Sequence, residues 1–261
     1  MYYFRLFATY VRVGILGELE YRANFWINII QSALDLCVAL GGIAVVFSHT
    51  DTLGGWRQEE LLALIGVYFL IGGLIRTLIR PSMIQFMEDV RQGTLDFKLT
   101  KPADSQVLVS IQRIEIWRLV DVLISLPVLG IAFLRLGASL GPIESAVFAV
   151  TLLSGALIIY SFWLMLSTCA FWFVKVENIQ VIFMSMWPAG RWPVNIYPTW
   201  LRAVLTFLVP VAFATTVPAS AVSGRITGAT LIGTVALAAA MLLVSRWFWR
   251  VGIRFYSGAS A

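Results

Sequence analysis

Long apolar runs separated by short polar connections set the pattern of this chain. The opening stretch, MYYFRLFATYVRVGILGELEYR, places Phe4, Ala8, Val11, Ile15 and Leu19 on one face of a helix and Arg5, Thr9, Arg12 and Glu20 towards another. That predicts an amphipathic helix lying at a membrane surface; Arg5 and Arg12 interrupt any signal-peptide core. A first span follows over 24–47, ended by SHTDTLGGWRQEE, and a second over 61–79, closed by Arg80 and Pro81. The third covers 114–134 with Pro127 inside it, GASLGP breaks the chain, and the fourth covers 145–174, long enough to tilt or protrude before Lys175, Glu177 and Asn178 end it.

Beyond Asn178 the pattern is irregular, because Pro188, Pro193 and Pro198 recur at five-residue intervals and Pro210 and Pro218 follow. A helix of ten residues rises only about 15 Å, half of the hydrocarbon core. The expectation is a short fifth span over 178–191, a re-entrant Pro-rich segment over 192–222, and a last span over 228–247. Irregular backbone at membrane depth is tolerated where protein buries it or water reaches it, so this segment is expected to pack on other spans. The predicted fold is an all-α integral membrane protein of six transmembrane helices in a single domain over 1–261, with the interfacial helix in front.

One polar run interrupts the first half of the chain. In MEDVRQGTLDFKLTKPADS, Met87–Ser105, Pro81 suits the first turn of a short helix and Gly93 its C-terminal cap, which predicts a helix over 82–92. Leu95, Phe97 and Leu99 then alternate with Asp96, Lys98 and Thr100, the pattern of an extended strip with one apolar side. Such a strip serves either as a docking surface for a partner or as packing against the protein's own inner face.

Composition agrees with a membrane protein: 59% of residues are hydrophobic and 13% charged, against about a quarter charged in a globular domain, and mean hydropathy is +0.85. A net charge of +5 is too small and scattered for nucleic acid. Its placement is informative. With six spans and both termini inside, only Arg57, Arg135, Arg191, Arg202 and Arg225 of the 19 basic residues face outward, which orients the chain by the positive-inside rule. Trp187, Trp192, Tyr197 and Trp200 then fall at an outer aromatic belt, and Trp247 and Trp249 near an inner one. Cys37 and Cys169 sit in apolar stretches, and the single histidine, His49, lies beside Asp51 in a polar connection, so neither a disulfide framework nor a metal site is expected.

Asn24, Asn28, Gln31 and Asp35 share one face of the first span, with Asp35 near the midplane. A carboxylate at that depth is costly unless paired, protonated or hydrated, so this face is a candidate substrate pathway or helix interface. Glu115, Arg118 and Asp121 stand three apart, the spacing of an ion-pair ladder, and Arg76 and Arg80 are placed to snorkel or to meet these acids. Phosphate-loop, H-E-x-x-H and G-x-S-x-G motifs are missing, so the chain is not expected to be an enzyme, and any ATP-driven motor is expected on another chain. An ion-coupled carrier using Asp35, or a membrane scaffold without transport, remain the alternatives at this stage.

Two stretches carry a resemblance. RQGTLDFKLTKPADSQ, Arg91–Gln106, resembles the "R-x-G-x-L-D-x-x-L-x-K-P" stretch of bacterial ABC-2-type permeases, and WPVNIYPTWLRAVLTFLVPVAFATTVPA, Trp192–Ala219, resembles that family's "P-x-x-I-Y-P-x-W-L-R … P-x-A-F … P-A" stretch before the last span. The resemblance implies a six-span permease half in the bacterial cytoplasmic membrane that exports a small molecule or amphiphile. It pairs with a second permease, identical or homologous, and two separate ATP-binding subunits dock on it. It binds no cofactor itself; ATP and Mg belong to the partner ATPase. Carried over, Glu88, Asp89, Arg91, Gly93, Leu95 and Asp96 become candidates for the ATPase-coupling region, with the surface helix from Arg12 to Glu20, and Pro193, Tyr197, Pro198, Pro210 and Pro218 become candidates for shaping an outer re-entrant cap.

Overall fold

The computed structural model describes residues 2–19, 22–136, 141–173 and 177–256. Among them every regular element is helical. Five helices are long and apolar enough to cross a membrane, over Phe25–Phe47, Gln58–Gln92, Ile116–Arg135, Pro142–Phe171 and Gly228–Ile253. A bent pair, Thr199–Leu208 with Val211–Val222, turns by 71° and makes a sixth crossing only if the two limbs count as one. Where a short fifth span over 178–191 is expected, the chain has the ten-residue helix α9, Glu177–Met186, and a 3-10 turn over Trp187–Arg191, which is not among these five helices. α1 is Tyr2–Leu19 and α2 is Arg22–Phe47. The side chains of Asn24 and Asn178, and Glu20 and Lys175 entirely, lie outside the described residues.

The largest departure from the sequence pattern is the second span. α3, Gln58–Leu74, passes through a π-helical turn over Ile75–Ile79 directly into α4, Arg80–Gln92. At 35 residues the rod is roughly 50 Å long, about 20 Å more than the hydrocarbon core. Pro81 does not start a separate helix. Because proline has no N–H, the carbonyl of Thr77 four residues earlier is free, and the Glu115 backbone N–H donates to it at 2.9 Å. The π turn makes the same adjustment from within, with the Arg80 N–H reaching back to Ile75. A second π turn, Val204–Leu208, likewise stands before a proline, Pro210.

α3 is apolar on every side and is the most buried helix; Leu61, Ala63, Leu64, Val67, Phe69 and Ile71 are inaccessible, as expected for a helix surrounded by others. α7, Leu119–Arg135, runs antiparallel against it. Gly66 and Gly73, seven residues apart on α3, allow the approach: a Cβ on Gly66 would come within 2.6 Å of Leu129, and one on Gly73 within 2.9 Å of the Val122 backbone nitrogen. Small residues bring membrane helices close enough to gain dispersion energy where no hydrophobic effect acts between them. At the charged end of this pair, Arg76 Nε donates to Asp121 at 2.8 Å and Ser32 Oγ of α2 donates to the same carboxylate at 2.5 Å. The expected ladder is therefore broken. Asp121 ties three spans together, and Glu115 is left to Arg118 at 3.8 Å.

α8, Pro142–Thr168, packs against α13, Gly228–Ile253, and against the second limb of the bent pair. The helix α1 meets the rest of the chain at Gly14, against Ile114, and Leu6 and Tyr10 are half-buried, whereas Ala8, Val13, Ile15 and Leu16 face outward. Part of its expected apolar face is thus turned to the surroundings, as an interfacial helix requires. The aromatic belts are corrected in two places. Trp187 is buried and stacked on Tyr68 at 5.4 Å, and Trp249 is buried against Phe86, while Trp200 and Trp247 stay exposed.

The α3–α7 approach predicts that Gly73→Ala destabilises the protein by about 1–3 kcal/mol, the usual cost of overpacking. Gly130→Ala, with nothing within 4 Å of its new Cβ, is expected to be neutral or slightly stabilising. Thermal unfolding in detergent, compared between the two variants, checks this; equal melting would refute the close-packing account.

Candidate functional site

The segment between the second and third spans is a braced hairpin. Gly93, at φ +70°, closes α4 in the left-handed conformation, and the Thr94 N–H returns to the Asp89 carbonyl at 2.9 Å, a C-terminal cap that glycine adopts without steric cost. The expected extended strip over 95–99 is instead a helical turn, α5, Asp96–Leu99. Leu95 and Leu99 are four residues apart, so both turn inward, Leu95 completely, while Phe97 is thrown outward and is 74% exposed. α6, Ser105–Ile111, is capped by Asp104, whose carboxylate accepts from the Gln106 and Val107 N–H groups. The returning chain is held by Ser82 Oγ, which donates to the Arg113 carbonyl at 2.8 Å, and by Gln112 Nε2, which donates to the Ser82 carbonyl at 2.8 Å.

The six coupling candidates separate into two sets. Asp89 is buried; it accepts from Lys98, from Gln85 at 3.2 Å and from Thr94 at 3.3 Å, and Lys98 also bridges to Gln112. Asp89, Gly93 and Leu95 are the internal frame of the hairpin. Glu88 and Arg91 form a bidentate pair at 2.7 and 2.9 Å on its outside, with Arg91 well exposed and Asp96 half-buried nearby. Phe97, grouped with the two leucines by alternation, is the most exposed apolar group of this surface. Its separate role is visible in the sequence only if 95–99 is taken as helix. The hairpin is tied to the last span by Arg246, which donates to Asp104 through both terminal nitrogens and to Gln106 at 2.8 Å.

At mid-depth the polar face of α2 meets a cation that the sequence pattern placed at the surface. Arg191 Nη2 lies 3.5 Å from Asp35 Oδ1, and its guanidinium sits 5.2 Å over the Tyr68 ring. Asp35 remains 42% exposed at its side chain. Gln31, one turn away, is exposed, and Asn28 is half-buried. These groups therefore form one patch that the chain does not cover by itself, and Arg191 enters it because the 3-10 turn after α9 carries the chain inward.

At the opposite, cap end, the tight Leu53–Trp56 turn holds both limbs of the Pro-rich segment. Glu60, 1% exposed, accepts from Arg225 at 2.8 and 2.7 Å. Arg225 lies over the Trp56 ring, and Trp56 Nε1 donates to Asn195 at 3.2 Å. Pro193, Pro198 and Pro210 each stand immediately before a helical turn, Tyr197 Oη donates to the Ala189 carbonyl at 3.0 Å, and Pro218 is buried within α12, Thr216–Val222. All five cap candidates are thus brought into one bent structure.

A family model described as "ABC-2 family transporter protein" matches residues 33–260. No curated protein and no solved structure matches the chain.

Two expectations follow from this site. Asp89→Ala strands Lys98 and is expected to cost about 3 kcal/mol, as for a buried pair losing one partner, whereas Phe97→Ala stays within about 0.5 kcal/mol; denaturation of the two variants decides. The Arg246 guanidinium hydrogen-bonded to Asp104, then the Val107 and Gln106 N–H groups, hold the Asp104 carboxyl below its ordinary value. A carboxyl depressed in the folded state contributes stability that is complete above the unfolded value and lost as pH falls through the folded one. The stability difference between wild type and Arg246→Gln is therefore expected to be flat from pH 8 to 5 and to shrink only below about pH 4, in thermal unfolding at stepped pH.

Proposed function

The chain belongs to the ABC-2 family of transporter proteins, and from that premise we propose that it is the permease subunit of an ATP-driven exporter whose motor docks on the hairpin over 80–113. The supporting observation is mechanical. The hairpin is internally braced through Asp89, continuous with the second span through an unbroken helix, and tied to the last span through Asp104 and Arg246. A push on its outer surface reaches two spans without a flexible joint, the property a coupling element needs. Phe97 is an exposed aromatic anchor of the kind that dominates protein interfaces, and Glu88 and Arg91 form a charged rim.

In this proposal two ATP-binding subunits, carrying ATP and Mg, face the hairpin on the cytoplasmic side of the bacterial inner membrane, where both termini also lie. The bent segment over 192–222 is a re-entrant outer cap, and six crossings result when α9 and its turn count as the fifth. A second permease, identical or homologous, covers the patch of Gln31 and Asp35, with cargo of small-molecule or amphiphile class passing beside it. The ion-coupled alternative has less support, because the Asp35 side chain has Arg191 beside it as a partner.

The test is affinity purification of the tagged chain from its native membranes. Wild type is expected to bring down ATP hydrolysis. Phe97→Asp is expected to lose about tenfold or more of it, the scale of a hot-spot residue, with unchanged melting of the chain itself. Absence of ATPase with the wild type, or full recovery with Phe97→Asp, would falsify the docking assignment.

A further inference from the structure

The cap end carries a cavity of about 360 Å³ where the first span ends, the second begins and the third ends; Phe47, Asp51, Arg57, Glu59, Arg135 and Leu136 line it. Its size falls at the lower end of the range for small-molecule sites. Two cationic and two anionic side chains share this space. Among the described residues none of the four is within ion-pair distance of another charged group, although oppositely charged neighbours on this chain elsewhere do close on each other.

A cavity whose fixed charges cancel gives no net attraction to a simple anion or cation, because the groups that attract it are matched by groups that repel it. A ligand carrying both charges a few ångströms apart can orient itself and engage both signs. The apolar part of the lining points further. Phe47 is the last residue of α2 and Leu136 follows the last residue of α7, which puts the cavity at the rim of the hydrocarbon. Val45 and Leu134, on the same helices, are exposed on the outside of the bundle, Leu134 at 83%, so a molecule seated at this rim stands beside apolar helix surface.

We propose that this cavity binds the headgroup of a zwitterionic phospholipid, with Arg57 and Arg135 facing the phosphodiester, Asp51 and Glu59 facing the ammonium, and the acyl chains lying against the apolar outside of the adjoining spans. The site is separate from the hairpin and from the Asp35 patch, and it holds three span ends together through one bound lipid.

The experiment reconstitutes the purified chain in vesicles of equal phosphatidylethanolamine and phosphatidylglycerol, re-extracts it gently and quantifies retained lipid by native mass spectrometry. Wild type is expected to retain phosphatidylethanolamine in preference to phosphatidylglycerol, and Arg57→Gln with Arg135→Gln to retain about tenfold less, roughly the loss of one charge-assisted contact. Asp51→Asn with Glu59→Gln is expected to invert the preference towards phosphatidylglycerol, which a merely structural role would not do. Equal retention of the two lipids by wild type, or an unchanged preference in the acid-neutralised variant, overturns the proposal. Soluble phosphoethanolamine separates the sources. If it protects the chain against thermal unfolding in phosphatidylglycerol-only vesicles while no lipid is enriched, the ligand is a free zwitterion and the lipid assignment fails. The measurement reads lipid retention, so its outcome is independent of whether the chain exports anything.

Discussion

A charge inside a membrane has to be paired, and on this chain most of the pairing converges on one rod. The continuous helix over Gln58–Gln92 presents Glu60 to Arg225 at its cap end, the Tyr68 ring to Arg191 at mid-depth, Arg76 to Asp121 near the other end, and Asp89 to Lys98 where it projects beyond the hydrocarbon. Each pair joins the rod to a different part of the chain: the connection before the last span, the turn after α9, the third span and the hairpin. Breaking a buried pair leaves an uncompensated charge, so these contacts are costly to lose even where their net contribution to stability is small. The rod therefore acts as a spine to which these four parts of the chain are anchored.

Its continuity depends on how the backbone satisfies itself around Pro81. A proline ring inside a helix normally frees a carbonyl and bends the chain. Here the freed Thr77 carbonyl is taken by the Glu115 N–H, so the defect becomes the joint between the second span and the entry to the third. A π turn also precedes Pro210, and the short helix that follows it, Val211–Ala214, packs on α8. Gly155 admits this approach, since a Cβ there would lie 2.6 Å from the Phe213 carbonyl oxygen. Irregular backbone persists at membrane depth because protein encloses it.

The candidate surfaces follow from what the spine leaves uncovered. At one end the hairpin is braced inside through Asp89 and open outside at Phe97. At mid-depth the polar face of α2 stays half open beside Arg191. At the other end the cap is gripped by the Glu60–Arg225 pair and the Trp56–Asn195 bond.

The all-helical membrane architecture, the Gly93 stop, the Pro-punctuated segment and the family all followed from the sequence alone, because hydropathy, helix periodicity and turn chemistry are local properties of a chain that must satisfy its own backbone in lipid. The partners of its charges did not. Asp121 stands at ladder spacing from Arg118 yet bonds Arg76 and Ser32, and Arg191 reads as a surface residue yet meets Asp35. Leu95, Phe97 and Leu99 fit a strand period of two as well as a helical turn, and only the inward pull of Leu95 and Leu99 onto the buried core resolves the ambiguity and leaves Phe97 outside. Tertiary structure decided these points because ion pairing and burial depend on which distant residues arrive at the same place, and spacing along one helix carries no record of its neighbours.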